Sequence, residues 1–363
     1  MSDVKFIDAS DWSELPWFSS GGTRAKRILQ DPEGGIWFFK CSEKKEAKDG
    51  KPAKYYKYEF WSEIIAYQIG NLLGLNVLRY EPSVYDGQIG CISRSMIDQN
   101  NQNLSEIGRY MTQFEPRFIP SNIKSRSFYS FQLLQRTFKR YKFSRFWPQI
   151  FQTILFDVII GNTDRHQENW AVIINVNAAA TYFQKHKMFG RKRKKAGSLF
   201  RQKMGQKKLI SAFIAQTSKK LKRDWPTLNR EMFEKMAPIY DNGSSLGREL
   251  TDERVTELIG DEAKMLKYIS NGPCELHWNG EKLSHFNFIY KLLASSYIQK
   301  VVKAGLFLNR WSDSCIADIV NSIDESLPEH LAQYRIPKNR KELMIKLLTL
   351  RAKKLKEIVH GGV

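Results

Sequence analysis

Cysteine is sparse in this chain: four residues among 363, at Cys41, Cys91, Cys274 and Cys315, with no CxxC spacing. That argues against a zinc site and a disulfide scaffold, and for reduced thiols in a cytosolic setting. No uncharged apolar run reaches the roughly 18 residues of a membrane span. The N-terminus, MSDVKFIDASDW, is acidic and lacks the apolar core of a signal peptide. The expected protein is therefore soluble and cytoplasmic, or an effector delivered without a cleavable signal. Acidic residues are in short supply as well: 38 Asp and Glu against 58 Lys and Arg leave a net charge of +20. Anionic partners are in view: nucleic acid, acidic lipid or nucleotide phosphate. There is no internal repeat.

What is present is globular. Hydrophobic content of 42% can bury a sizeable core, and the length allows one large domain or two smaller ones. The most informative stretch is Gly161–Trp170, GNTDRHQENW, which follows an apolar run ending at Ile160. An apolar run that ends in Gly-Asn reads as a buried element delivering a polar loop, and Trp170–Ile174 reads as a strand leaving it. The carboxylate Asp164 and the amide Asn169 lie five residues apart on that loop. The carboxylate can accept a proton and the amide oxygen can bind Mg²⁺, as metal-assisted phosphoryl transfer requires. Asp241 follows a second apolar run, Met236–Tyr240, and precedes Asn242-Gly243. On its own that pattern is also an ordinary turn.

Upstream, SSGGTRAK (Ser19–Lys26) is either a turn or a loop whose backbone approaches phosphates closely. Lys26–Gln30 and Ile36–Lys40 read as a hairpin around DPEGG. Lys40 ends the second strand, as a snorkelling edge residue or as a phosphate partner. Tyr55–Leu73 reads as a helix with Gly74 near its C-cap, carrying Glu59 and Glu63 four residues apart. Val77–Tyr85 and Gln88–Arg94 form a second hairpin about Asp86-Gly87. Ser95–Asp98 then hands a small β-rich lobe over to a larger one. In RTFKRYKFSR (Arg136–Arg145) basic and aromatic residues interleave. This could bind nucleic acid, but an amphipathic element packing its aromatics on the core is the expected reading. Gln149–Ile160 reads as a helix. Phe183–Arg223 has 15 Lys and Arg and no Asp or Glu. It reads as a solvated insertion, a polyanion surface (RNA, DNA or acidic membrane) or a targeting signal. From Thr251 on, four helices are expected: Asp252–Ile269, Ser284–Ala304, Ser312–Ser322 and Lys338–Val359.

In chain order these pieces are the part list of a kinase: small-residue loop, strand lysine, helical glutamate, Asp164 with Asn169, then Asp241. GNTDRHQENW with MAPIYDNGSSL resembles the HipA-type serine/threonine kinases, in particular their shorter CtkA-like members. The family pattern N-x-D-x-H-x-x-N, followed by Pro-aromatic-Asp, is met at Asn162, Asp164, His166, Asn169, Pro238, Tyr240 and Asp241. SSGGTRAK, WFFK and FWSEIIAYQIGNLLGL resemble that family's phosphate loop, ATP-lysine strand and glutamate helix, which favours Glu63 over Glu59. The resemblance spans roughly residues 19–245. It implies an α+β, two-lobed protein-kinase-like fold, with an N-lobe over 1–98, a helical C-lobe over 99–363 and the basic insertion at 183–223.

The resemblance further implies an ATP- and Mg²⁺-dependent kinase acting on Ser or Thr of a protein substrate, with autophosphorylation expected. A separate expectation is that phosphate on Ser19, Ser20 or Thr23 would block the phosphate loop by charge repulsion. Asp164 would be the base, and Asn169 and Asp241 would hold Mg²⁺. Lys40 would meet the phosphates and be held by Glu63, and His166 would brace the loop. Ser19, Ser20, Gly21, Gly22, Thr23, Lys40 and Met96 would contact the nucleotide. Arg165 would reach the substrate or a phosphorylated residue. The insertion between Asn169 and Asp241 departs from the family's short connection. NTDR…NW and DNG also look like the type II phosphatidylinositol 4-kinases, which lack a histidine where His166 stands. A non-catalytic scaffold binding nucleic acid through the insertion would not need Asp164, Asn169 and Asp241 all intact.

Overall fold

The computed structural model describes residues 4–16, 26–42, 44–45, 54–177, 230 and 232–361. A six-stranded sheet is built from β1 (Ile7–Asp8), β2 (Ser13–Glu14), β3 (Arg27–Gln30), β4 (Ile36–Cys41), β7 (Glu81–Tyr85) and β8 (Gln88–Arg94). Its order is β1-β7-β8-β4-β3-β2. β1 runs parallel to β7 and the other pairs are antiparallel. A small ribbon of β5 (Lys44–Lys45) and β6 (Lys54–Tyr55) stands beside it.

Alternation along β4 decides what each face of this sheet meets. Phe39 points with Leu29, Ile92 and Ala9 into a small core, capped by Trp12 and Trp37, whose rings are 5.4 Å apart. Lys40, the next residue, points the other way, toward helix α1 (Glu59–Leu72). That helix is buried from Glu59 to Gly70 almost without interruption, because the sheet packs on one side and the helical lobe on the other.

The second lobe opens with β9 (Gln102–Glu106), which pairs with β10 (Ala171–Asn175), itself flanked by β11 (Phe233–Met236). Helices α2 (Ile107–Phe114) and α3 (Phe131–Tyr141) follow β9, and α4 (Trp147–Ile160) runs through the centre. α4 is apolar on nearly every side, as a helix enclosed by others must be. Around it lie α5 (Asp252–Gly260), α6 (Glu262–Asn271), α7 (His285–Leu293), α8 (Ile298–Ala304), α9 (Asp313–Ser322) and α10 (Lys338–His360). One continuous core joins α1, α4 and α10. The expected α+β, two-lobed architecture is the one the chain adopts. Among the described residues, no helix is long and apolar enough to cross a membrane.

The differences from expectation are local. α1 starts at Glu59, not Tyr55, and the second hairpin begins at Glu81, with Val77 making only an isolated bridge to Ile239. The strand before Asp241 is Phe233–Met236, earlier than the expected Met236–Tyr240. β9 was not expected: its sequence, QNLSE, is polar, and pairing with β10 creates it. The helix expected over Asp252–Ile269 is two, because the Asp261 side chain accepts from Lys264 N and starts a new helix. Ser284–Ala304 also divides, between Leu293 and Ile298. Trp17, Phe18 and the basic insertion 183–223 lie outside the described residues.

Candidate active site

Lys40 is 5% exposed, and a buried ammonium needs partners. Its partners include Glu63 Oε1 at 2.5 Å and Asp241 Oδ1 at 2.6 Å. Three distant segments, β4, α1 and the stretch after β11, thus converge on one cation. Glycine permits the strand approach: a Cβ at Gly90 on β8 would lie 2.3 Å from the Lys40 carbonyl oxygen.

Glu63 is fully buried, and its second oxygen accepts from Asn242 N at 2.7 Å. This separates the two glutamates of α1. Glu59, one turn earlier, is also buried but pairs with Arg248, whose guanidinium lies 4.5 Å from the Tyr56 ring centroid. Gly243 passes between them, where a Cβ would stand 3.1 Å from Glu59 Oε1 and 3.2 Å from Glu63 Oε1. Asp241 itself takes φ of +59°, a conformation that aspartate tolerates better than most residues.

The loop after α4 is built from Asn162. Gly161, left-handed at φ +69°, ends the helix. Asn162 Nδ2 donates to Asp157 Oδ1 (3.1 Å), and its Oδ1 accepts from Asp164 N (3.1 Å). Ser244 Oγ reaches Asp164 Oδ2 at 3.4 Å, and Thr163 N donates to Ser244 O at 3.2 Å. The segments carrying Asp164 and Asp241 are therefore laced together. Asn169 Nδ2 donates to Asp164 O (3.0 Å), which turns its Oδ1 the other way. His166 Nδ1 accepts from Glu168 N (3.3 Å), capping the single 3₁₀ turn Gln167–Asn169, as a brace would.

Arg165 is where the expectation fails. It does not face a substrate: it is 3% exposed and lies behind the loop. Its guanidinium grips Asp157 (Nη2 to Oδ1, 2.8 Å), donates to Asn242 Oδ1 (2.6 Å) and reaches the Tyr240 carbonyl. Burial pushes the Asp157 carboxyl above its ordinary range, against the pull of Arg165. His285 lines the same small cavity as Asp157 and Arg165, and its Nε2 meets the Asn162 carbonyl at 2.9 Å. Burial, with Arg351 nearby, holds His285 down to about 3. Tyr129 OH donates to Arg165 O (2.8 Å). Asp157, Asn242, Ser244, Arg248 and His285 were not singled out from sequence. Only Asp157 left a signal there, as the lone carboxylate in the apolar run ILFDVII.

The electrostatics follow from the convergence. Tyr80, buried beside this cluster, is raised well above its ordinary range, by burial first and then by Glu63. The same two causes raise Cys91. In both, burial is the larger cause. Met96 is half-buried and packs with Leu78, Ile97 and Leu104 against Ala171, Ile173, Ala237 and Tyr240. Ser19, Ser20, Gly21, Gly22 and Thr23 lie outside the described residues.

Among the described residues, no three His, Cys, Asp or Glu side chains form a metal cage. Mg²⁺ takes oxygen donors, often only one or two of them from the protein. Asp241 and Asn169, the residues expected from sequence to meet it, carry one carboxylate and one amide oxygen.

No protein-family model and no curated protein sequence matches the chain. Among solved structures, it is similar to a Helicobacter pylori proinflammatory kinase, CtkA, over 98% of this chain and 97% of the other, at a TM-score of 0.64 and 16% identity. That likeness is one of fold: the chain has a two-lobed, protein-kinase-like α+β architecture.

Proposed function

We propose that this chain is an ATP- and Mg²⁺-dependent kinase that phosphorylates Ser or Thr hydroxyls of a protein, itself included. The observation that carries the reading is the meeting of Lys40 with Glu63 and Asp241, on a segment hydrogen-bonded to the Asp164 loop. On this reading Lys40 pairs with the α- and β-phosphates, and Glu63 keeps it aimed. Asp241 and Asn169 hold Mg²⁺, which neutralises phosphate charge when bound. Asp164 orients the acceptor hydroxyl and accepts its proton, with Ser244 Oγ steadying the carboxylate. His166 positions the turn that carries Asn169 and transfers no proton. Met96 and its apolar neighbours offer a surface for the base. Ser19, Ser20, Gly21, Gly22 and Thr23 supply backbone and hydroxyl groups to the phosphates. Residues 1–98 then serve as the nucleotide lobe and 99–363 as the acceptor lobe, in a cytoplasmic protein.

Labelled ATP with Mg²⁺, offered to the protein alone, to a protein extract and to phosphatidylinositol vesicles, tests this directly. Label should enter the protein and extract on Ser or Thr, and Asp164→Asn should lower the rate by about 10²–10⁴, the usual worth of a general base. Absence of transfer in every arm would sink the proposal. Transfer to lipid alone would move the acceptor class.

A further inference from the structure

RTFKRYKFSR offers no stacking platform. Phe138 and Phe143 are fully buried and Tyr141 nearly so, while Arg136, Lys139 and Arg140 form an exposed stripe along α3. Single-stranded nucleic acid needs exposed ring faces, and here they are turned inward. The exposed apolar groups nearby are of another kind. Phe114, Ile119 and Ile123 are three of the seven large apolar side chains exposed among the described residues, and Ile123 is 74% exposed. They fall on the end of α2 and the loop 115–128, which re-enters the core at Phe131. Ser125 Oγ closes that loop on Ile119, through bonds of 3.0 Å to its N and 2.6 Å to its O. The two features adjoin: the Arg136 guanidinium lies 5.6 Å from the Phe114 ring centroid.

The charge is one-sided. Residues 114–146 hold eight Lys and Arg and one acid, Glu115. Arg117 takes that acid at 2.7 Å. Exposed Lys124 and Arg126 sit on the loop itself, and Lys142 ends the stripe. Exposed aliphatic tips beside a dense basic face match a bilayer with anionic headgroups, which receives the first in its acyl boundary and the second at its surface.

We propose that loop 115–128 and the outward face of α3 form a docking surface for an anionic lipid bilayer. The root of the loop is fixed to the candidate active site. The Phe118 ring stacks on Tyr129 at 5.9 Å, and the Tyr129 hydroxyl donates to the Arg165 carbonyl. Docking would hold the catalytic loop close to the membrane plane. The inference does not rest on phosphotransfer, since binding is read without nucleotide.

The test is sedimentation of the full chain with phosphatidylcholine vesicles, with and without phosphatidylserine. Wild type should pellet only with the anionic vesicles and release as salt rises. Each basic residue near such a surface is worth about fivefold (~1 kcal/mol), so Arg136→Ala/Lys139→Ala/Arg140→Ala should weaken binding on the order of 100-fold. Ile119→Asp/Ile123→Asp should weaken it by about tenfold or more, through lost apolar burial. All five side chains are exposed, so melting temperatures should stay near wild type. Should either variant misfold, Lys124→Ala/Arg126→Ala gives the same reading. Undiminished binding by the variants would overturn the proposal, because the basic segment 183–223 would then account for it. Equal pelleting with phosphatidylcholine alone would overturn it as well. So would failure on vesicles with retention on polyglutamate, which would make the partner an acidic protein.

Discussion

Two buried ionic clusters adjoin the Asp164 loop, and they are built to different ends. In one, Arg165 faces Asp157, and its remaining donors are met by Asn242 Oδ1 and the Tyr240 carbonyl. One cation meets one anion there, with Asp241 and Glu63 also acting on the guanidinium from further off. In the other, one ammonium, Lys40, faces two carboxylates, Glu63 and Asp241, with Asp164 on the adjoining segment. Burial first, and then the Glu63 carboxylate, raises Tyr80 on that side. Carboxylates gathered beside a lysine are an arrangement that a cation arriving with a ligand would complete. The Arg165 cluster is a bolt and the Lys40 cluster a socket.

The sharpest way to break that contrast is to remove each cluster's central residue and watch stability, not activity. Arg165→Met strands Asp157 in a buried site and frees Tyr240 and Asn242 of their partner. It should cost about 3–5 kcal/mol of unfolding free energy, as breaking a buried pair does, read by chemical denaturation. A loss near zero would show that the pair is not structural. Asp241→Asn should behave in the opposite way. Neutralising Asp241 leaves the buried Lys40–Glu63 pair in place, so the ligand-free protein should lose less stability than Arg165→Met does. The stabilisation by Mg–ATP should vanish instead. At a hundred times its dissociation constant a ligand contributes about 2.7 kcal/mol, and that increment is what differential scanning should find in wild type and miss in the variant. If ligand still stabilised Asp241→Asn in full, Asp241 would not be part of the socket.

The socket was far more legible in the sequence than the bolt, for a physical reason. Lys40, Glu63 and Asp241, which meet in the structure, each end or interrupt an apolar element, so pattern marks them. Arg165 is flanked by polar residues, and nothing in DRH says which side chain turns inward. Its burial is fixed by Asp157, Tyr240 and Asn242, two of them some 75 positions away. The choice between Glu59 and Glu63 was likewise undetermined by the helix alone. Arg248, beyond Asp241 in the chain, takes Glu59 and leaves Glu63 to Lys40. The lobes were legible because long apolar periodicities mark helices such as α4 and α10. β9 was not, since a polar strand exists only by virtue of its partner. The helix break at Asp261 turns on a local cap too brief to interrupt the periodicity, while the helix from Ile298 starts without a side-chain cap.

The bolt has a further support whose behaviour with pH separates it from the socket. His285 reaches the Asn162 carbonyl through Nε2, so it is that nitrogen that carries the hydrogen. Burial and the nearby Arg351 hold the ring down to about 3, against an ordinary 6.5. Between those two pH values the unfolded chain binds a proton that the folded chain refuses. Stability from this group is therefore intact above about pH 6.5 and is lost as pH falls toward 3. The slope approaches about 1.4 kcal/mol per pH unit, so the loss between pH 7 and pH 5 should be about 2 kcal/mol. His285→Gln keeps a donor for the Asn162 carbonyl but does not titrate. Denaturant midpoints for wild type and variant at the two pH values isolate the term, because every other titrating group is common to both. The wild type should lose about 2 kcal/mol more than the variant. Equal losses would mean that the ring is protonated in the folded state, and that the back of the loop is wetter than its burial indicates.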